Sequence, residues 1–300
     1  MSRIQEILNK AEREGTVRRT RGLSDNTGSA TATAAPPMPG PRVSAPPFEP
    51  VSAPPWTAAA TAPVLDLPEV PTAAPTLDRR LVAAVAPQSA PAERYRLLRT
   101  RVKRAENGRS IRTIVVTSPA KGDGKSLTAA NLALTMAQEF SQRVLLLDAD
   151  LRRPTVAQLF GIAEAPGLSD VLIGGSDVER ALVHLPDQHL TVLPAGNPAA
   201  QPAELLGSSA MRRVLELLRS RFDRILIDMP PVAPLADVHV ISPQIDGLLM
   251  VVRAGITPKP AIERALSGLD MGKVLGLVLN AAGEGGVEGY GEEGYGYIGG

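Results

Sequence analysis

The 300-residue chain contains no cysteine. Disulfides and thiolate metal sites are therefore excluded, and a reducing compartment fits. Histidine is nearly as scarce: His184, His189 and His239 are the three present, and their spacing gathers no metal ligands. Aromatic residues make up only 3% of the chain. The formal net charge of +1 leaves no global attraction for nucleic acid or anionic lipid. No apolar run approaches the ~20 residues that a membrane-crossing helix needs, and the N-terminus lacks the apolar core of a secretory leader. The cytoplasm is the expected location.

What is present is unevenly distributed. Of the 28 prolines, 15 lie within residues 1–91, a region that also holds the only tryptophan, Trp56. Pro, Ala, Thr and Ser dominate from Thr27 to Ala90 without apolar spacing that could build a core, so 16–90 reads as a disordered linker. Ahead of it, Ser2 is a plausible N-cap, and Ile4, Ile7, Leu8 and Ala11 share one face of a short amphipathic helix within residues 1–15, stopped by Gly15. Such a helix needs a partner for its apolar face. A second protein, a membrane surface and this chain's own domain all remain open. The mixed charge on its polar face favours a protein. At the other end, residues 283–300 contain nine glycines and four glutamates and cannot pack a core. Three of the four tyrosines, Tyr290, Tyr295 and Tyr297, stand there with accessible hydroxyls.

The organising stretch runs from Ile111 to Met136. A β-branched run (Ile114, Val115, Val116, Thr117) leads into Ser118-Pro119-Ala120-Lys121-Gly122-Asp123-Gly124-Lys125-Ser126, and a helical segment begins at Leu127. A buried strand feeding a glycine turn that opens a helix aims free N–H groups and a positive dipole end at one point, which suits phosphate. Gly122 and Gly124 permit close backbone approach, Lys125 reaches outer phosphates, and the Ser126 hydroxyl suits magnesium. Pro119 stands where the full P-loop pattern has its first glycine. Beyond this turn, strand and helix alternate. Strands are expected at 112–117, 143–148, 190–194, 223–228, 246–252 and 274–280, with helices at 126–139, 154–159, 177–183, 208–220, 235–241 and 258–268. The strands are continuous Val/Ile/Leu runs, as in a mostly parallel sheet covered by helices on both faces. The fold class is therefore α/β of the P-loop NTPase kind, with its domain over 91–282.

Two strand ends carry carboxylates. Val144-Leu145-Leu146-Leu147 ends in Asp148-Ala149-Asp150, then Arg152-Arg153-Pro154, and Ile225-Leu226-Ile227 ends in Asp228-Met229-Pro230-Pro231. Carboxylates ending parallel strands share the glycine turn's edge of the sheet, where hard oxygens suit Mg²⁺. A helix from Pro91 to about Asn107 repeats charge at Glu93, Arg96 and Arg99. The residues alone favour a solvated face for that stripe.

From about Ala92 to Gly300 the chain resembles the bacterial tyrosine kinases that govern polysaccharide synthesis and export, relatives of the MinD/ParA ATPases. Ser118 to Ser126 is similar to their Walker A turn, including the missing first glycine. Leu147-Asp148-Ala149-Asp150-Leu151-Arg152 is similar to Walker A′, and Ile225 to Pro231 to Walker B. Glu93-x-x-Arg96-x-x-Arg99 resembles the family's ring-assembly motif, which reverses the solvated-face preference. Gly196-Asn197-Pro198 through Glu204-Leu205-Leu206 is similar to the segment before the family's next helix, and the tyrosine cluster to its autophosphorylation tail. Lys121 departs from the proline usual in the turn, and three tyrosines are fewer than many members carry. With no membrane-spanning half, the chain resembles the split cytoplasmic type, and its N-terminal helix and long linker resemble the variant of exosortase-linked exopolysaccharide clusters.

The resemblance implies ATP and Mg²⁺ as cofactors, with Gly122, Asp123, Gly124, Lys125, Ser126 and Leu127 cradling nucleotide. It implies Ser126, Asp150 and Asp228 as the metal's protein ligands, and Lys125, Asp148 and Asp150 as the catalytic group, with Asp148 orienting or deprotonating the tyrosine hydroxyl. Asn280 would contact adenine, with Arg253 a weaker candidate, and Tyr290, Tyr295 and Tyr297 would accept phosphate. Implied partners are a separate membrane co-polymerase that activates the kinase and recruits it to the inner membrane face, further copies of itself in a ring, and a cognate tyrosine phosphatase. No nucleic acid is implied. Two alternatives stand beside this reading. One is a MinD/ParA-type ATPase switch, whose signature lysine would sit at Ala120; the other is a non-catalytic, nucleotide-binding assembly module.

Overall fold

The computed structural model describes residues 76–139, 142–233 and 236–282. The expected N-terminal helix, most of the expected linker and the tail residues 283–300 lie outside the described residues.

Seven strands form one sheet: β1 Thr113–Thr117, β2 Val144–Asp148, β3 Val183–Leu185, β4 Leu190–Leu193, β5 Arg224–Asp228, β6 Gly247–Arg253 and β7 Val274–Asn280. Their order is β3-β4-β2-β5-β1-β6-β7, parallel throughout except for β3, which runs antiparallel to β4 at the edge. The expected six strands are present within a residue or so. The added β3 is too short to show a period. The helices are α1 Val82–Val85, α2 Ala90–Ala105, α3 Lys125–Ala137, α4 Val156–Phe160, α5 Leu168–Leu172, α6 Val178–Ala181, α7 Pro202–Gly207, α8 Ser209–Arg221, α9 Asp237–Ile241 and α10 Lys259–Ser267.

Because successive strand residues point to opposite faces, the apolar runs feed two cores. Val115, Leu145, Leu147, Ile225, Ile227, Met250 and Val252 pack under the helices that include α8 and α10. Ile114, Val116, Val144, Leu146, Leu226, Leu249 and Val251 pack under α3 and α4. Such double coverage is why the strands carry no polar alternation.

The folded part begins earlier than the boundary at 91. Leu81 is fully buried, and Asn131 on α3 accepts the Ala83 N–H at 3.0 Å while donating to the Arg80 carbonyl at 3.0 Å. Gln138 donates to the Ala83 carbonyl at 3.0 Å, and the Asp78 N–H reaches the Leu159 carbonyl at 2.9 Å. Residues 76–90, assigned to the linker by composition, are thus clipped to α3 and to the end of α4. The backbone groups of this segment find partners on the domain rather than in water.

Candidate active site

The strand order sets the site. In register, Asp148 of β2 is opposite Asp228 of β5, and Val116 of β1 is opposite the same Asp228. All three strands therefore end together, and the turn leaving β1 emerges beside both carboxylates. Two cross-links tie these ends: the Ala149 N–H donates to the Asp228 carbonyl at 2.9 Å, and the Thr117 hydroxyl donates to the Pro230 carbonyl at 2.6 Å.

Within the turn, Gly122 and Gly124 adopt φ of +86° and +96°, a conformation costly to residues with a Cβ. Gly124 is also the residue from which α3 starts, and a Cβ there would stand 1.9 Å from the Asn280 amide nitrogen. Lys125, first residue of α3, turns its ammonium into the carboxylate cluster. Nζ lies 2.8 Å from Asp150 Oδ2, 3.3 Å from Asp228 Oδ1 and 3.0 Å from Ser126 Oγ. Burial works against the charged lysine, but Asp228 and Asp150 outweigh it and hold its pKa above the ordinary value. Burial also raises the pKa of Asp228, with Lys125 and Ser126 opposing.

Asp148 is fully buried. Its Oδ1 accepts the Asp150 N–H at 3.1 Å, and its Oδ2 accepts the Thr155 and Val156 N–H groups at 3.1 and 3.0 Å. It thereby shapes the turn that carries Asp150 and binds orphan N–H groups at the start of α4. Burial, followed by the proximity of Asp228, raises its pKa to about 7. Nearby, Arg152 grips the fully buried Asp237 at the start of α9 through Nε at 2.9 Å and Nη2 at 3.3 Å.

Ser126, Asp150 and Asp228 thus meet around one cationic nitrogen, and the same hard-oxygen set suits Mg²⁺. Among the described residues no group of three or more Asp, Glu, His or Cys is arranged to hold a metal. Two carboxylates and a hydroxyl, completed by phosphate oxygens and water, match the way Mg²⁺ is bound at nucleotide sites.

A family model described as an AAA domain matches residues 111–252. Tyrosine-protein kinase YwqD of Bacillus subtilis is 36% identical over 206 residues, which cover 68% of this chain and 86% of YwqD. The chain belongs to the bacterial tyrosine kinases. The kinase domain of the Escherichia coli tyrosine kinase ETK superposes with a TM-score of 0.65 at 27% identity, covering 72% of this chain and 84% of that domain. The succinoglycan biosynthesis transport protein ExoP of Rhizobium meliloti is 35% identical over 200 residues; the match covers 65% of this chain but only 25% of ExoP.

In this bacterial tyrosine kinase, several sequence-selected residues have duties inside the chain. The Asp123 carboxyl is turned inward, accepting from Ala120 N–H at 2.9 Å and the Thr257 hydroxyl at 2.7 Å, so only its backbone faces the turn. Leu127 packs against the core. Asn280 donates to the Asp123 carbonyl at 2.9 Å, and Arg253 reaches the Gly122 carbonyl at 3.3 Å, so both brace the turn. Arg96 pairs with Glu93 at 2.7 Å and donates to the Pro87 carbonyl at 2.7 Å. Arg99 donates to the Thr135 carbonyl at 2.7 Å and pairs with Glu139 at 3.2 Å. Tyr290, Tyr295 and Tyr297 lie outside the described residues. Thr257 and Asp237 escaped sequence reading, since neither belongs to a motif and their partners lie far along the chain.

Among the described residues, no helix is long and apolar enough to cross a membrane.

Proposed function

We propose that this bacterial tyrosine kinase transfers the γ-phosphoryl group of ATP to Tyr290, Tyr295 and Tyr297 of its own tail. The convergence of Lys125, Ser126, Asp150 and Asp228 at the end of a glycine turn carries the reading. The N–H groups of residues 122–127 and the Lys125 ammonium bind the β- and γ-phosphates, and Ser126, Asp150 and Asp228 hold Mg²⁺ directly or through water. When bound, Mg²⁺ neutralises phosphate charge, which is the main demand of this chemistry beyond positioning. In the transfer, the bond from γ-phosphorus to the β–γ bridging oxygen breaks and a bond to the tyrosine oxygen forms, giving ADP and phosphotyrosine.

The phenolic proton goes to Asp148. Its Oδ2 already accepts two N–H bonds, whereas Oδ1 accepts one and keeps a lone pair. A pKa of about 7 suits a base at neutral pH. Because Asp148 is fully buried, its carboxyl must be uncovered for the acceptor to reach it. Glu93, Arg96 and Arg99 are proposed to exchange their internal partners for those of a neighbouring copy in a ring, so that one subunit's tail enters the next subunit's site.

We further infer a role in exopolysaccharide synthesis and export beside a separate membrane co-polymerase that activates the kinase and recruits it to the membrane's inner face, with a cognate phosphatase to reset it. Asn280 is proposed to line the adenine side of the turn. The test is purified full chain with Mg-ATP, with and without the co-polymerase's cytoplasmic segment, read by phosphotyrosine mapping. Phosphate on the tail tyrosines is expected, and ATP hydrolysis with no phosphotyrosine would make the chain an ATPase switch instead.

A further inference from the structure

We propose that Thr257, in the loop between β6 and α10, is a positioning residue that sets the phosphate-binding turn through Asp123; this rests on the kinase reading of that turn. Thr257 is 7% exposed and belongs to none of the nucleotide motifs. Its hydroxyl oxygen accepts the Arg253 N–H at 3.0 Å and lies 2.7 Å from Asp123 Oδ1. A hydroxyl has one proton, and a backbone N–H can only donate. The direction of the chain is therefore fixed: Arg253 N–H to Thr257, Thr257 O–H to Asp123.

Asp123 spreads this constraint over the turn. Its other carboxyl oxygen accepts the Ala120 N–H at 2.9 Å, and its carbonyl accepts the Asn280 amide at 2.9 Å. It is flanked by Gly122 and Gly124, both at positive φ. Two glycines impose almost no backbone preference of their own, so the anchored carboxyl between them decides where the N–H groups of the turn point. The same anchoring keeps the carboxyl directed away from the nucleotide's negative charge. The turn is thus held from the β6 side of the sheet, 134 residues along the chain from Asp123.

Thr257→Val keeps the branched shape and removes both bonds. The full chain is titrated with Mg²⁺ plus a non-hydrolysable ATP analogue, and separately with inorganic triphosphate, with melting followed in the absence of ligand. Thr257→Val is expected to bind both ligands about tenfold more weakly, and Thr257→Ser to restore the affinity. Should Thr257→Val fail to fold, Asp123→Asn, which retains a single acceptor oxygen, is expected to show the same loss. Wild-type affinity in the folded variant, or a lowered melting temperature with affinity unchanged, overturns the proposal. Wild-type protein that binds neither ligand removes the P-loop reading, and this inference with it.

Discussion

Asp148 and Asp228 are register partners on adjacent parallel strands, and both are fully buried at the strand ends. Two carboxyl groups so placed compete for ionisation, with Lys125 and Asp150 the other charged groups facing them. Burial chiefly, and then Asp228, lifts Asp148 from the usual 3.8 to about 7. Between those values the native state holds a proton that the unfolded chain has released. Unfolding then releases protons, so this group's contribution to stability falls as pH rises through that window and is level outside it. Asp148→Asn, neutral at every pH, should gain on wild type from about pH 4 to 7, with a slope approaching ~1.4 kcal/mol per pH unit. Urea midpoints of both proteins across that range check it, and parallel pH curves would contradict the buried pair.

A second prediction concerns the ammonium between the carboxylates. Lys125 touches Ser126, Asp150 and Asp228, the same oxygens proposed for Mg²⁺. A divalent ion must therefore either displace the lysine or sit beside it against strong like-charge repulsion, whereas phosphates would draw the lysine outward. Mn²⁺ should bind the nucleotide-free protein weakly and the nucleotide-loaded protein tightly, followed by the loss of the free-ion resonance signal. Lys125→Met should bind Mn²⁺ without nucleotide at least about tenfold better while losing three or more orders of magnitude in phosphoryl transfer. Wild-type-like autophosphorylation in this variant would remove the assignment of the turn.

The sheet and the glycine turn between β1 and α3 were legible because both depend on local composition. Continuous apolar runs from Val144 to Leu147 and from Ile225 to Ile227 can only be strands covered on both faces, and their terminal aspartates were placed at the correct edge. Partnerships with backbone atoms were not legible. Nothing at Arg99 announces the Thr135 carbonyl, and nothing at Asp123 announces a threonine far downstream. Composition also misled at 76–90, where Leu81 is a core residue. The segment is fastened by Asn131 of α3 and Gln138 just past its end, both bonded to the Ala83 backbone, and nothing in the sequence announces those bonds.

The third prediction concerns assembly. Glu93, Arg96 and Arg99 are engaged inside the chain, and Arg99 also bonds a carbonyl in the last turn of α3. Arg96→Ala with Arg99→Ala should convert a ring to monomers in sedimentation and reduce tail phosphorylation. Losing the α3 contact should also lower stability by about 1 kcal/mol. Both readouts are needed: unchanged mass with lowered stability would confine the arginines to their internal duties.

The last prediction separates a kinase from a switch and uses the tail. Residues 283–300 are half glycine and carry Tyr290, Tyr295 and Tyr297, the proposed acceptors. The described residues end at Ala282, two past Asn280, whose side chain bonds the glycine turn. Each phosphorylation adds about 1.5 to 2 negative charges, and these fall near Glu288, Glu292 and Glu293. A site lined by Asp150 and Asp228 should hold such a tail poorly, and neighbouring tails should repel it, so phosphorylation should loosen the assembly. Changing all three tyrosines to Phe should eliminate most autophosphorylation, retain ATP binding and favour the oligomer, as read by mass spectrometry and sedimentation of the same samples. Active wild-type protein that hydrolyses ATP while its tail carries no phosphotyrosine would instead place the chain among nucleotide switches, because every other part of the site serves hydrolysis equally well.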